Sequence, residues 1–143
     1  MTDVDLSKYE ASIEIRVDSH YANQVVSLGT IVELFGMAGT KLAYMFDGDG
    51  GFMRVMHDVE FIAPAYEGDF LRVTANLVGV GNTSRKRVYE CWCTARTYGV
   101  GEFPSSGDVL AEPILIARAE AVAVTPTQYQ RCTPSGLRTN KDS

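Results

Sequence analysis

The chain has 143 residues, 18 acids against 13 bases and a net charge of −5. That length suits one domain with a substantial core, and the acidic balance gives no overall field to hold DNA or RNA, so any anion must be gripped locally. His20 and His57 are far apart and no Cys-x-x-Cys pair occurs, so no metal site is expected.

The first ten residues lack a basic apolar leader, and the longest apolar stretches are broken by Glu33, Lys41 or Arg118. The expectation is a cytoplasmic protein with no membrane span. Ile13, Ile15 and Val17 alternate with Ser12, Glu14, Arg16 and Asp18, the period of a strand with one wet face. His20-Tyr21 then leads to Leu28–Phe46, where Ile31, Leu34, Phe35, Ala38, Leu42, Met45 and Phe46 recur at helical spacing behind Ser27 as N-cap. Such a helix is about 28 Å long and apolar almost all round, so protein must wrap it. Asp47-Gly48-Asp49-Gly50-Gly51 stops it.

Four strands are predicted after the glycines: 52–63, 70–80, 87–97 and 114–124. In the first, Met53, Val55, Val59 and Phe61 share a face with His57, which reads as a core histidine, while Arg54, Asp58 and Glu60 share the other. Cys91 and Cys93 flank Trp92 on one side of their strand and, with Cys132, read as reduced thiols. Residues 98–112 form a Gly- and Pro-containing excursion, and Ala117, Ala119, Ala121 and Ala123 give the last strand a small face that a helix can approach closely. The domain is expected to span 1–126, with 127–143 a tail of little structure.

Strand, buried helix, then four antiparallel strands is an α+β plan, one sheet curled around one helix. It resembles the hotdog fold, the alternative being a cystatin-like helix on a sheet. Val59-Glu60-Phe61-Ile62-Ala63-Pro64-Ala65-Tyr66-Glu67-Gly68-Asp69 looks like the strand-turn-strand signature of hotdog proteins that act on acyl-CoA, although turn structure explains most of Pro64, Gly68 and Asp69. With Leu34-Phe35-Gly36, Gly81-Asn82-Thr83-Ser84-Arg85-Lys86 and Leu110-Ala111-Glu112-Pro113, the ordered set is similar to the 3-aminoacyl-CoA ammonia-lyases. The resemblance implies elimination of ammonia to an enoyl-CoA, no cofactor beyond the CoA of the substrate, and a homodimer with sites at the shared interface.

That reaction needs a base for the proton beside the carbonyl, donors for the thioester oxygen and a group to receive ammonia. Backbone N–H groups of Leu28, Gly29 and Thr30 at the helix start supply an oxyanion site. Glu60 and Glu33, in apolar sequence contexts, are candidate acid-base carboxylates with raised pKa, or else ion pairs. His20 and Tyr21 line the site or pack the loop. Asn82, Thr83, Ser84, Arg85 and Lys86 suit the phosphates of CoA, against a merely solvated turn, while Arg87 faces water. The family pattern has acids where this chain holds Met37 and Lys41, which leaves a hotdog thioesterase or a catalytically changed acyl-CoA-binding subunit as alternatives.

Overall fold

The computed structural model describes residues 5–18, 25–97 and 105–130. His20, Tyr21, Cys132 and the excursion at 98–104 lie outside them. The elements are β1 (Glu10–Arg16), α1 (Leu28–Phe46), β2 (Phe52–Phe61), β3 (Phe70–Val80), β4 (Ser84–Thr97) and β5 (Gly107–Val124), with 3-10 turns at Leu6–Lys8 and Thr127–Tyr129. The strands form one antiparallel sheet in the order β1-β3-β4-β5-β2. One helix against five antiparallel strands is the hotdog fold.

Local chemistry places the helix. The Ser27 hydroxyl accepts the Thr30 N–H at 3.1 Å and opens α1. At the other end Gly48, at φ 72°, returns its N–H to Ala43 and Tyr44, closing the helix through a left-handed residue. Ile31, Leu34, Phe35, Ala38, Leu42 and Phe46 then join Leu71, Val73, Ala75, Tyr89, Cys91, Ala117 and Ala119 in one buried cluster. α1 lies closest to β1, β3 and β4. The alanine face of β5 is therefore buried without the close helix approach its small residues predict.

The wrapping of the helix is incomplete. Met37 is 49% and Tyr44 58% exposed, while Lys41 donates to the Ser12 carbonyl of β1 at 2.9 Å. β2 departs furthest from expectation. Its register slips between Met53 and Val55 and again between His57 and Glu60, with Asp58 at φ 52°. These bulges put Met53 opposite Ala123 but Val55 opposite Val122, so the supposed common apolar face is split between both sides of the sheet. His57 is exposed beside Asp58 and does not enter the core. Phe52, Met53, Val55, Val59 and Phe61 all remain exposed on this edge strand.

Two boundaries move. β5 begins at Gly107, well inside the expected excursion, and its register with β4 shifts across the Pro113 stretch, where proline cannot donate to a ladder. At the other end Gln130 is 2% exposed, and its side-chain amide donates to the carbonyls of Asn82 (2.9 Å) and Thr125 (2.8 Å). The folded unit thus runs through Gln130, four residues past the expected end.

Candidate active site

Where the chain enters α1, an open groove of about 350 Å³ is lined by Val25, Val26, Leu28, Phe61, Ile62, Ala63 and Pro64. Its position follows from two short anchors. Val26 N–H bonds the Ala65 carbonyl at 2.8 Å, and the N–H groups of Ile62 and Ala63 bond Ile116, so the loop before the helix and the end of β2 are held side by side. The groove is apolar and opens onto the first turn of the helix. There the Thr30 N–H is taken by Ser27, which removes Thr30 from the expected oxyanion set. Leu28 and Gly29, both exposed, keep N–H groups that no preceding turn can accept, at the positive end of the helix dipole.

The carboxylates sort by face. Glu33 is four residues after Gly29 and so stands on the same side of the helix, about 6 Å further along its axis. It is exposed, on the stripe that carries Met37 and Tyr44. Glu60 pairs with Arg118 across the ladder while the neighbouring Ala117 and Ala119 turn toward the core, so Glu60 lies on the sheet face away from α1. Its oxygen is 3.6 Å from Arg118, and its side chain is 61% exposed. The chain by itself provides neither acid with the burial expected of it, and it does not bring the two together.

Turn chemistry accounts for the Tyr66 to Asp69 part of the motif, while Pro64 lines the groove. Buried Asp69 accepts from Arg96 Nε (3.0 Å) and an Arg96 terminal nitrogen (2.9 Å), and from the Tyr66 N–H at 2.9 Å. Gly68 at φ 90° makes the turn. These bonds push the Arg96 pKa further up, Asp69 being the main cause. Cys91 is a free thiol beneath the helix whose pKa burial pushes up to about 12, with Cys93 and Asp69 adding to the shift.

The basic bend is at the other end of the helix. Arg85 is 1% exposed and forms two bonds with Asp47, the C-cap of α1, at 2.8 and 2.9 Å, while another nitrogen donates to the Gly81 and Ser84 carbonyls at 2.9 Å. It also lies over the Phe46 ring. Arg85 is thereby withdrawn from the expected phosphate-binding set: its charge is matched inside the protein. Arg87 does not face water either, being 4% exposed beneath Gly39 with a bond to the Tyr89 hydroxyl at 3.3 Å. Asn82 and Lys86 are exposed, and Thr83 and Ser84 half-buried. Asp47 and Gln130 were not foreseen as partners of this bend. The inward parity of Arg85 was available, because it shares alternation with Cys91 and Cys93.

Among the described residues His57, Asp58 and Glu120 bring possible metal-ligand atoms within 4.8 Å of one another. His57 Nδ1 is 2.9 Å from Asp58, and Arg118 already stands 3.5 Å from Glu120, where a cation would compete with it. None of the described helices is long and apolar enough to cross a membrane.

A helix cradled by a five-stranded sheet, with a groove at its leading end, defines a hotdog protein, and comparison with known proteins agrees. The family model of the thioesterase superfamily matches residues 23–98. The 3-aminobutyryl-CoA ammonia lyase of Acetoanaerobium sticklandii is 38% identical over 117 residues, which are 80% of this chain and 90% of that protein. The solved β-alanyl-CoA:ammonia lyase of Clostridium propionicum superposes with a TM-score of 0.79 at 27% identity, covering 85% of this chain and 88% of that one. A hexameric hotdog fold thioesterase of Campylobacter jejuni superposes at 0.68 with 19% identity, over 95% and 96% of the two chains, a likeness of fold. The chain belongs to the thioesterase superfamily and, within it, to the family of the 3-aminobutyryl-CoA ammonia lyase.

Proposed function

We propose that the protein catalyses reversible elimination of ammonia from a 3-aminoacyl-CoA, giving an enoyl-CoA and ammonium, in a homo-oligomer whose sites lie where two copies meet. The observation that carries this is the 38% identity to a 3-aminobutyryl-CoA ammonia lyase across four fifths of the chain. The apolar groove against the helix start suits the acyl and pantetheine portions. In it the Leu28 and Gly29 N–H groups hold the thioester oxygen as negative charge develops on it.

Glu33 is the better placed base. It shares the face of Gly29, whereas Glu60 points away from the helix toward Arg118. The Glu33 carboxylate takes the proton from the carbon next to the carbonyl, and the electron pair left there becomes the new carbon–carbon double bond as the carbon–nitrogen bond breaks. Ammonia departs and takes the proton back from Glu33, leaving as ammonium. The step balances without a cofactor. Two buried, unbridged thiols accord with a reducing setting such as the cytoplasm.

A second copy completes the site. Within one chain, groove and bend lie at opposite ends of a helix about 28 Å long. Antiparallel pairing of β2 with its copy about Met56 and His57 sets the partner's Phe52 beside this chain's Phe61. Phe52 pairs with Val124 and Val124 with Ser84, so the partner's bend arrives two strand spacings, roughly 10 Å, from the edge. Lys86, Asn82, Thr83 and Ser84 of that bend meet the CoA phosphates.

Incubation with crotonyl-CoA and ammonium should yield 3-aminobutyryl-CoA by mass spectrometry, since addition is the reverse reaction. Glu33→Gln should lower kcat by about 100-fold or more with CoA still bound, while Glu60→Gln stays within a few-fold of the unaltered protein. Thiol release without an amine adduct would replace the lyase by a thioesterase, and loss of turnover only in Glu60→Gln would exchange the base.

A further inference from the structure

Four consecutive carbonyls of the bend are bonded from inside the protein. Gly81 accepts from Arg85, Asn82 from Gln130, Thr83 from the Thr125 N–H at 2.9 Å, and Ser84 from both Arg85 and the Gly81 N–H. No peptide bond among the described residues is cis, and in a trans peptide the N–H points opposite to its carbonyl. The Asn82 and Thr83 N–H groups therefore face outward, and neither has an acceptor among the described residues. Beside them stands the exposed Lys86.

Of these internal donors, Gln130 comes from the segment that follows the last strand. Its side chain is almost wholly enclosed, and one amide nitrogen joins Asn82 in the bend to Thr125 at the end of β5. The 3-10 turn Thr127–Tyr129 delivers it there, the Gln130 N–H closing on Thr127 at 3.2 Å. Two carbonyl acceptors require the donor end of the amide at this position.

We infer that Gln130 is a positioning residue for nucleotide binding: it turns the Asn82–Thr83 peptide so that the bend presents the Thr83 N–H, with Lys86 nearby, to the phosphates of CoA. This rests on the reading of the bend as the phosphate site, and it adds that recognition of the nucleotide depends on a side chain that never touches it. The segment 125–130 and the bend then form one device, and a ligand held by the bend tightens both.

The test compares crotonyl-CoA with crotonyl-pantetheine, which lacks the nucleotide, as substrates for ammonium addition. Gln130→Glu keeps the volume but turns two attractions into oxygen–oxygen repulsions, and should raise KM for the CoA thioester about tenfold relative to the pantetheine thioester. Equal effects on both substrates, or none, overturn the inference. Lys86→Ala serves as the arm for the underlying reading: selective loss there with none in Gln130→Glu removes only Gln130, whereas no selectivity in either removes the phosphate site itself. Should Gln130→Glu not fold, Gln130→Leu takes its place, and the unaltered protein gives an independent measurement. Adding 3′,5′-ADP should slow amide hydrogen exchange in residues 80–86 and 125–130 together, and slowing confined to 80–86 sinks the proposal.

Discussion

Asp47 and Arg85 are each almost wholly buried, and they neutralise one another through two hydrogen bonds. Removing Asp47 leaves the Arg85 charge without its carboxylate where water cannot reach, so Asp47→Ala should cost about 3–5 kcal/mol in urea unfolding. Arg85→Ala should also weaken the fold, since it removes the bonds to Asp47, Gly81 and Ser84 together, whereas Lys86→Ala, at an exposed side chain, should leave stability nearly unchanged. Cys91 gives a pH signature. Its folded thiol titrates near 12 against the usual 9.0, so the stability it lends is whole below pH 9 and is lost as the pH climbs toward 12. Unfolding free energy should fall over that window, and Cys91→Ala should flatten the fall. The inward set on β4 was open to view from sequence, because counting back by twos from Cys93 and Cys91 passes through Tyr89, Arg87 and Arg85. Reading three cations as one basic cluster obscured that parity. Asp47 lies 38 residues from its partner Arg85 and Gln130 lies 48 from its partner Asn82, and alternation within one strand cannot reveal such distances.

At the scale of elements, the helix was legible nearly to the residue because capping and periodicity agree: Ser27 opens it, the glycines close it, and the apolar positions recur between. β2 was not, since alternation presumes regular pairing and two register shifts with a left-handed Asp58 break it. The edge strand that results is apolar on both sides and carries one unpaired row of backbone groups. Natural sheets protect such rows with charge or cover. Val55→Lys should therefore split the proposed oligomer, seen as a drop in sedimentation mass together with loss of ammonia addition. An unchanged mass would place the contact between copies elsewhere.

For the whole molecule, the sequence conveyed the architecture and the reaction class far better than the site. The order of elements and the motif set depend on short-range pattern, which one chain displays. The proposed site between copies depends on which residues are left uncovered, and Glu33, Gly29 and the apolar groove can be grouped only once the faces of helix and sheet are known. Glu60 appeared attractive because it stands in an apolar stretch, yet its ladder partner Arg118 and the face it occupies emerge only from the register.

The bond between the helix cap and Arg85 also bears on how the chain finds its structure. Sliding β4 by one position would carry Arg85 to the outer side and strip the enclosed Asp47 carboxylate of the two hydrogen bonds from its guanidinium, a penalty comparable with much of the stability of a small domain. The pair thus couples the alignment of β4 to the seating of the helix: the register that turns Arg85 inward to Asp47 is also the one that sets the Asn82 and Lys86 side of the turn toward solvent.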